Sequence, residues 1–181
     1  MDASEEQLVE RAKEDPEAFG VLYSRYVDQI YQYVFYRTGN RYDAEDLTAR
    51  TFYKALANLA RYRYRGLPFS AWLYRIAHNL VANWHRDRKR RGGVSLDAVA
   101  MIGKGGDSAQ EFVESHERVE VLRDAVSRLP VERQELLVLK YTTELSNREI
   151  GKVMGRSEGA VKALYHRTLI ALRKDLEKRG F

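Results

Sequence analysis

The 181-residue chain contains no cysteine, which excludes a disulfide framework, a thiolate zinc site and a catalytic thiol, and is compatible with a reducing compartment. It lacks any apolar run near the roughly 18 residues that a membrane span requires. Its first residues, "MDASEEQL", are acidic and carry no apolar signal segment, so a cytoplasmic location is expected. Period-two alternation is missing, so no strand is expected, and no internal repeat is visible. The four histidines, His78, His85, His116 and His166, show no metal-site spacing with nearby carboxylates. Neither a phosphate-cradling glycine loop nor a nucleophile elbow occurs. Together these absences argue against an enzyme and lead us to expect no metal and no cofactor.

What is present is helical. Hydrophobic content of 44% beside 31% charge suits a soluble globular chain, so low-complexity disorder cannot account for most of it. Ser4 and Gln7 form a capping box for a short first helix, and Asp15 before Pro16 caps a second. From there Phe19, Leu22, Tyr23, Tyr26, Val27, Ile30, Tyr33 and Val34 make one apolar stripe, stopped by Gly39. A third helix is predicted from Asp43, its inner face being Ala44, Leu47, Thr51, Phe52, Ala55, Leu56 and Leu59. A fourth, residues 69–91, carries Phe69, Trp72, Leu73, Ile76, Leu80 and Trp84 at three- and four-residue steps.

Residues 92–107 hold five of the twelve glycines without sustained periodicity, a linker composition. A second unit then opens with the capping box Ser108 and Glu111 and the stripe Phe112, Val119, Leu122, Val126 and Leu129. The expected fold is therefore all-α: two small helical domains, 1–91 and 108–181, joined by a flexible linker.

Charge is unevenly spread. Arg61, Arg63, Arg65, Arg75, Arg86, Arg88, Lys89, Arg90 and Arg91 face Asp87 alone, in a chain whose total is only +5. A basic block interleaved with aromatics is the footprint of a nucleic-acid surface, although cations also stabilise a helix C-terminus by a few tenths of a kcal/mol. In "ARYRYRGLP" arginines alternate with Tyr62 and Tyr64, a pairing suited to stacking on unpaired bases while guanidinium groups take phosphates. The competing fate of these tyrosines is to pack beneath the domain.

In the second unit Ser146, Asn147, Arg148 and Glu149 form a capping box for a short helix ended by Gly155, and Ser157 caps a longer one. Short helix, tight glycine turn and long helix is the spacing of a helix-turn-helix, though an ordinary helical hairpin shares it. Val161, Leu164, Thr168, Leu172 and Leu176 are expected to face inward, with Glu158, Lys162, Ala163, His166 and Arg167 facing outward. Hydrogen-bonding side chains at the start of such a helix suit base edges in a major groove.

The order of these motifs resembles that of the extracytoplasmic-function (ECF) sigma factors, promoter-specificity subunits of bacterial RNA polymerase. "DAEDLTARTFYKAL" (43–56) resembles the region 2 helix that clamps the polymerase β′ coiled coil, implying core contacts at Asp43, Asp46, Leu47, Arg50 and Phe52. "FSAWLYRIAHNLVANWHRDRKRR" (69–91) resembles the helix that opens and reads the minus-ten element. With the preceding segment it implies minus-ten contacts at Arg61, Tyr62, Arg63, Tyr64, Arg65, His78, Asn79, Asn83, Arg86, Arg88, Lys89, Arg90 and Arg91. "LPVERQELLVLKY" with "SNREIGKVMGRSEGAVKALYHRTLIALRKDL" resembles region 4, implying minus-thirty-five contacts at Arg148, Ser157, Glu158, Lys162, His166 and Arg167.

The resemblance implies core RNA polymerase (β′ coiled coil and β flap) and promoter DNA as partners, and an anti-sigma factor would be a third. Three positions depart from the family pattern: Ala49-Arg50 where Gln-Glu is usual, Asn83 where aspartate is common, and Gly151 in place of alanine, as expected at a close helix crossing. The chain ends soon after the helix-turn-helix, so no appended regulatory domain is expected. A free-standing helix-turn-helix regulator is the alternative. It leaves the 43–56 helix and the Arg/Tyr segment without a role.

Overall fold

The computed structural model describes the backbone of residues 3–64, 66–90 and 120–180. Among them are eight α-helices, one 3₁₀ turn and no strand. In chain order these are α1 (Ala3–Arg11), α2 (Pro16–Thr38), α3 (Arg41–Asn58), the 3₁₀ turn Leu59–Arg61, and α4 (Phe69–Arg90). Then come α5 (120–127), α6 (Val131–Thr142), α7 (Asn147–Met154) and α8 (Glu158–Glu177). The expected linker 92–107, the Ser108 and Glu111 box, Phe112 and Val119 lie outside the described residues, as do Arg65 and Arg91.

Local chemistry sets most boundaries. The Asp15 carboxylate accepts from the Glu17 N–H at 2.9 Å, and Pro16 supplies a preset φ where no N–H is needed. α2 stops where Gly39 takes φ 63°, a left-handed value that glycine adopts without steric cost. Two starts differ from the sequence reading. α1 begins at Ala3, so Ser4 lies inside its first turn. α3 begins at Arg41 because the Asn40 side chain accepts from Asp43 N–H at 3.1 Å, which makes Asn40 the cap and puts Asp43 within the first turn.

In the first unit α2, α3 and α4 pack around Leu22, Ile30, Leu47, Phe69 and Leu73, all at most 1% exposed. Burying side chains of this size stabilises by about 1.5–3 kcal/mol each. α4 departs from a one-faced amphipathic helix. Its expected stripe is only half-buried at Trp72, Ile76 and Trp84, while Tyr74, Ala77 and Val81 are buried on an adjacent face. That second face meets α7, and α2 likewise meets α6. Leu136, Leu139, Ile150 and Val153 thereby join the same hydrophobic cluster as Tyr33, Tyr74 and Ala77. A smaller cluster of Ala125, Val126, Leu137 and Leu172 ties α5, α6 and α8 together. Leu56, expected inside, is 50% exposed, and Leu122 is 39% exposed.

One polar group sits in the contact between the two units. Glu135 of α6 is 5% exposed, and its Oε1 accepts from the Tyr33 hydroxyl at 2.9 Å and meets His78 Nδ1. Arg37, itself 3% exposed, brings Nη2 to 4.0 Å from Oε2. Burial pushes the Glu135 carboxyl up, but the His78 hydrogen bond, the Arg37 charge and the Tyr33 hydroxyl outweigh it and hold the group below its ordinary value.

Candidate nucleic-acid interface

The Arg/Tyr segment leaves the 3₁₀ turn and runs extended from Tyr62. Tyr62 answers both expectations at once. Its ring packs 4.8 Å from Trp72 and 5.5 Å from Phe69, and burial pushes its hydroxyl up to about 12. Arg61, Arg63 and Tyr64 remain exposed, and the Arg63 guanidinium donates to the carbonyls of Ala60 and Tyr62, both at 3.0 Å. Tyr62, Trp72 and Pro68 wall a cleft of about 250 Å³ rimmed by Arg61, Arg63, Arg75 and Lys152. Aromatic walls with a cationic rim provide both contacts that an unpaired nucleotide offers, a ring face and a phosphate.

Trp72 also walls a second cleft, of about 280 Å³, on an adjacent face of the same helix. Asn79 and Asn83 line it, with Lys54 and Asn58 opposite on α3. The Asn83 carbonyl accepts from Arg86 at 2.6 Å, leaving its NH₂ as donor. His78, grouped with these asparagines in the sequence reading, is separated from them here by its contact with Glu135. At the basic end Arg88 lies over the Trp84 ring at 5.0 Å and 3.8 Å from the Asp43 carboxylate, so two partners restrain it. Arg86 is exposed, and the side chains of Lys89 and Arg90 lie outside the described set.

In the second unit the helix-turn-helix is built by caps. Ser146 and Glu149 complete their reciprocal box, Gly155 takes φ 68°, and Arg156 N–H returns to Gly151 O at 2.7 Å. Ser157 Oγ accepts from Ala160 N–H at 3.2 Å. That bond commits one lone pair of the hydroxyl to folding. Val161, Leu164, Thr168 and Leu172 are buried, and Leu176 is half-buried. Arg148, Glu158, Lys162, His166 and Arg167 are all exposed, so the expected reading face is free. The hydrogen bond and charge of Lys162, 2.6 Å away, hold the Glu158 carboxyl below its usual value, with Arg148 adding to the effect.

The expected polymerase contacts divide. Asp46 and Arg50 are exposed and paired at 3.4 Å, and Asp43 is half-exposed beside Arg88. Leu47 and Phe52 are 1% and 4% exposed, so they do not present side chains to a partner. They hold α3 on α2, Phe52 edge-on to Tyr23 at 4.7 Å. Besides Leu56, the apolar groups that α3 does present are Tyr42 and Tyr53, 81% and 74% exposed. Sequence reasoning missed both, although Tyr42, Asp46, Arg50 and Tyr53 follow helical spacing.

Residues 22–91 match the family described as Sigma-70 region 2, and residues 120–172 match Sigma-70 region 4. The ECF RNA polymerase sigma factor SigW of Bacillus subtilis is 34% identical over 91% of this chain and 91% of its own length. The chain belongs to the ECF RNA polymerase sigma factors. Members of this family are regulatory subunits, not catalysts. A second sigma factor, BldN of Streptomyces coelicolor, is 40% identical over 92% of this chain, which spans 63% of the length of BldN. In fold, this sigma factor resembles CnrH, solved in complex with the cytosolic domain of CnrY (TM-score 0.69, 23% identity, 96% of this chain and 97% of that one). It likewise resembles RpoE of Bartonella quintana, solved with the anti-sigma factor NepR (TM-score 0.67, 21% identity, 88% of this chain and 96% of that one). Among the described residues no helix is long and apolar enough to cross a membrane, and no group of three or more His, Cys, Asp or Glu could hold a metal.

Proposed function

We propose that this sigma factor directs promoter-specific initiation as a dissociable, non-enzymatic subunit of RNA polymerase in the cytoplasm. Residues 1–91 act as region 2 and 108–181 as region 4, with 92–107 between them. The exposed side of α3, with Asp46 and Arg50, meets the β′ coiled coil, and the second unit meets the β flap. Minus-ten bases are captured in the two clefts beside Trp72, by Asn79 and Asn83 and by the Arg/Tyr segment, while Arg86 and its basic neighbours follow phosphates. α8 reads the minus-thirty-five element through Lys162, His166 and Arg167, with Glu158 suited to accept from cytosine.

The observation that carries this reading is the presence on one chain of two surfaces of opposite recognition type. One is a cationic aromatic cleft fitted to unpaired bases, and the other a helix-turn-helix fitted to a duplex. A duplex reader acting alone has no use for the first. We also propose an anti-sigma partner, as RpoE has in the structure named above. The deciding experiment adds the purified chain to core RNA polymerase and measures run-off transcription from genomic promoter fragments. Co-migration with core and initiation at discrete start sites are expected. A chain that binds duplex DNA but never associates with core would instead be a free-standing regulator.

A further inference from the structure

The two units cannot be packed as they are here while reading both promoter elements. This rests on the function proposed above, in which the elements are centred about 25 base pairs apart, or about 85 Å at 3.4 Å per step. A compactly folded chain of 181 residues has a radius of gyration of about 16 Å, hence a diameter of about 40 Å. Thirty peptide steps separate Arg90 from Glu120, enough covalent chain for roughly 100 Å at full extension. Reading both elements therefore requires the α2–α6 and α4–α7 contacts to part.

We propose that Glu135 is the latch of a self-restrained closed state. An apolar contact alone would fix neither register nor orientation. A buried carboxylate shared by three groups of the opposite unit does both, because any slip strands it without partners. Tyr33 and Arg37 reach it from α2 and His78 from α4, so one side chain of the second unit bonds to both helices that cover it. The closed state also places Lys152 of α7 in the wall of the Arg/Tyr cleft, where a nucleotide would enter. Any ligand that needs the open chain then binds with an affinity reduced by the fraction open, so weakening the latch raises that affinity without touching a DNA contact.

The absence of cysteine makes the test clean, since Gln32→Cys with Lys174→Cys gives one spin-label pair on exposed positions of α2 and α8. Pulsed electron resonance measures the inter-unit distance, and anisotropy measures binding to a two-element duplex, mismatched across its minus-ten stretch so that those bases are unpaired, or to the minus-thirty-five element alone. Glu135→Ala is expected to lengthen and broaden the distance and to raise affinity for the two-element duplex about tenfold, with single-element affinity unchanged. Tyr33→Phe removes one latch bond but leaves its ring on Tyr74, 5.4 Å away, so it gives the same answer in smaller measure even if the first variant does not fold. Folded variants as closed as wild type, or opened variants with no gain on the two-element duplex, overturn the latch. Distances that respond to Glu135 while wild type binds neither element specifically uphold the latch and overturn the function instead.

Discussion

Replacing Gly151 by alanine adds one methyl group at the tightest point of the helix-turn-helix. The new Cβ would stand 2.6 Å from the carbonyl oxygen of Arg156 and 3.5 Å from the carbonyl carbons of Arg156 and Ser157. The oxygen must withdraw by roughly 1 Å to reach ordinary van der Waals separation of about 3.5 Å. It is backbone, and it cannot swing away as a side-chain tip would, because Arg156 N–H is bonded to Gly151 O at 2.7 Å. Overpacking of this kind costs about 1–3 kcal/mol. Against it stands the helix-propensity gain of alanine over glycine, about 1 kcal/mol. The net expectation is a loss of about 1 kcal/mol and a melting midpoint lowered by several degrees. The displaced turn also carries the start of α8, so affinity for a minus-thirty-five duplex should fall. Gly20→Ala is the matched control, because its Cβ meets nothing within 4 Å and only the propensity gain applies. Thermal melts followed by circular dichroism decide the matter. If both alanine variants raise the midpoint, the close approach at Gly151 carries no energy and the reasoning fails.

Asp46→Lys should weaken holoenzyme assembly at least tenfold in a core-binding titration while moving the melting midpoint little, since an exposed i, i+4 pair is worth about 0.3–0.5 kcal/mol. Asn79→Ala and Asn83→Ala should each slow open-complex formation roughly tenfold to a hundredfold, from about 1–3 kcal/mol per captured base, and a pre-melted promoter should rescue them more fully than it rescues Arg86→Ala. Arg86→Ala should instead reduce the salt dependence of binding with little change in base preference. Stability should fall on acidification in two stages, read by urea midpoints across pH. His85, whose value is lowered by burial and by Arg37, contributes fully above 6.5, and that contribution is lost as pH falls through its folded value. Glu135, also lowered, contributes fully above 4.5 and loses that contribution below it, so Glu135→Gln should flatten the second stage and, by removing a charge that holds His85 up, carry the first stage to lower pH.

Features set by neighbours in the chain were legible in the sequence. Asp15, Ser146 and Ser157 cap where their spacing says they should, and Gly39 and Gly155 end their helices. The two faces of α8 were equally plain, because a regular apolar period allows one burial pattern. Glu135 was not legible. Its hydrogen-bond partners lie 57 and 102 residues away, so a charged residue in α6 carries no local sign of burial. The same long-range packing hid the second buried face of α4. In α3 periodicity put Leu47 and Phe52 on the inner face, where they are buried, but it misplaced Leu56, and it gave no sign that Leu47 and Phe52 lie too deep to meet a partner.

Both tryptophans of this chain, Trp72 and Trp84, lie on α4. The first stands between the two clefts and the second beneath the Arg88 guanidinium. Indole fluorescence from all 181 residues is therefore a single-helix optical signal. A base stacking on Trp72 would quench it, and a phosphate drawing Arg88 off Trp84 would shift its colour. Strand capture can then be timed in a stopped-flow cell with an unlabelled protein.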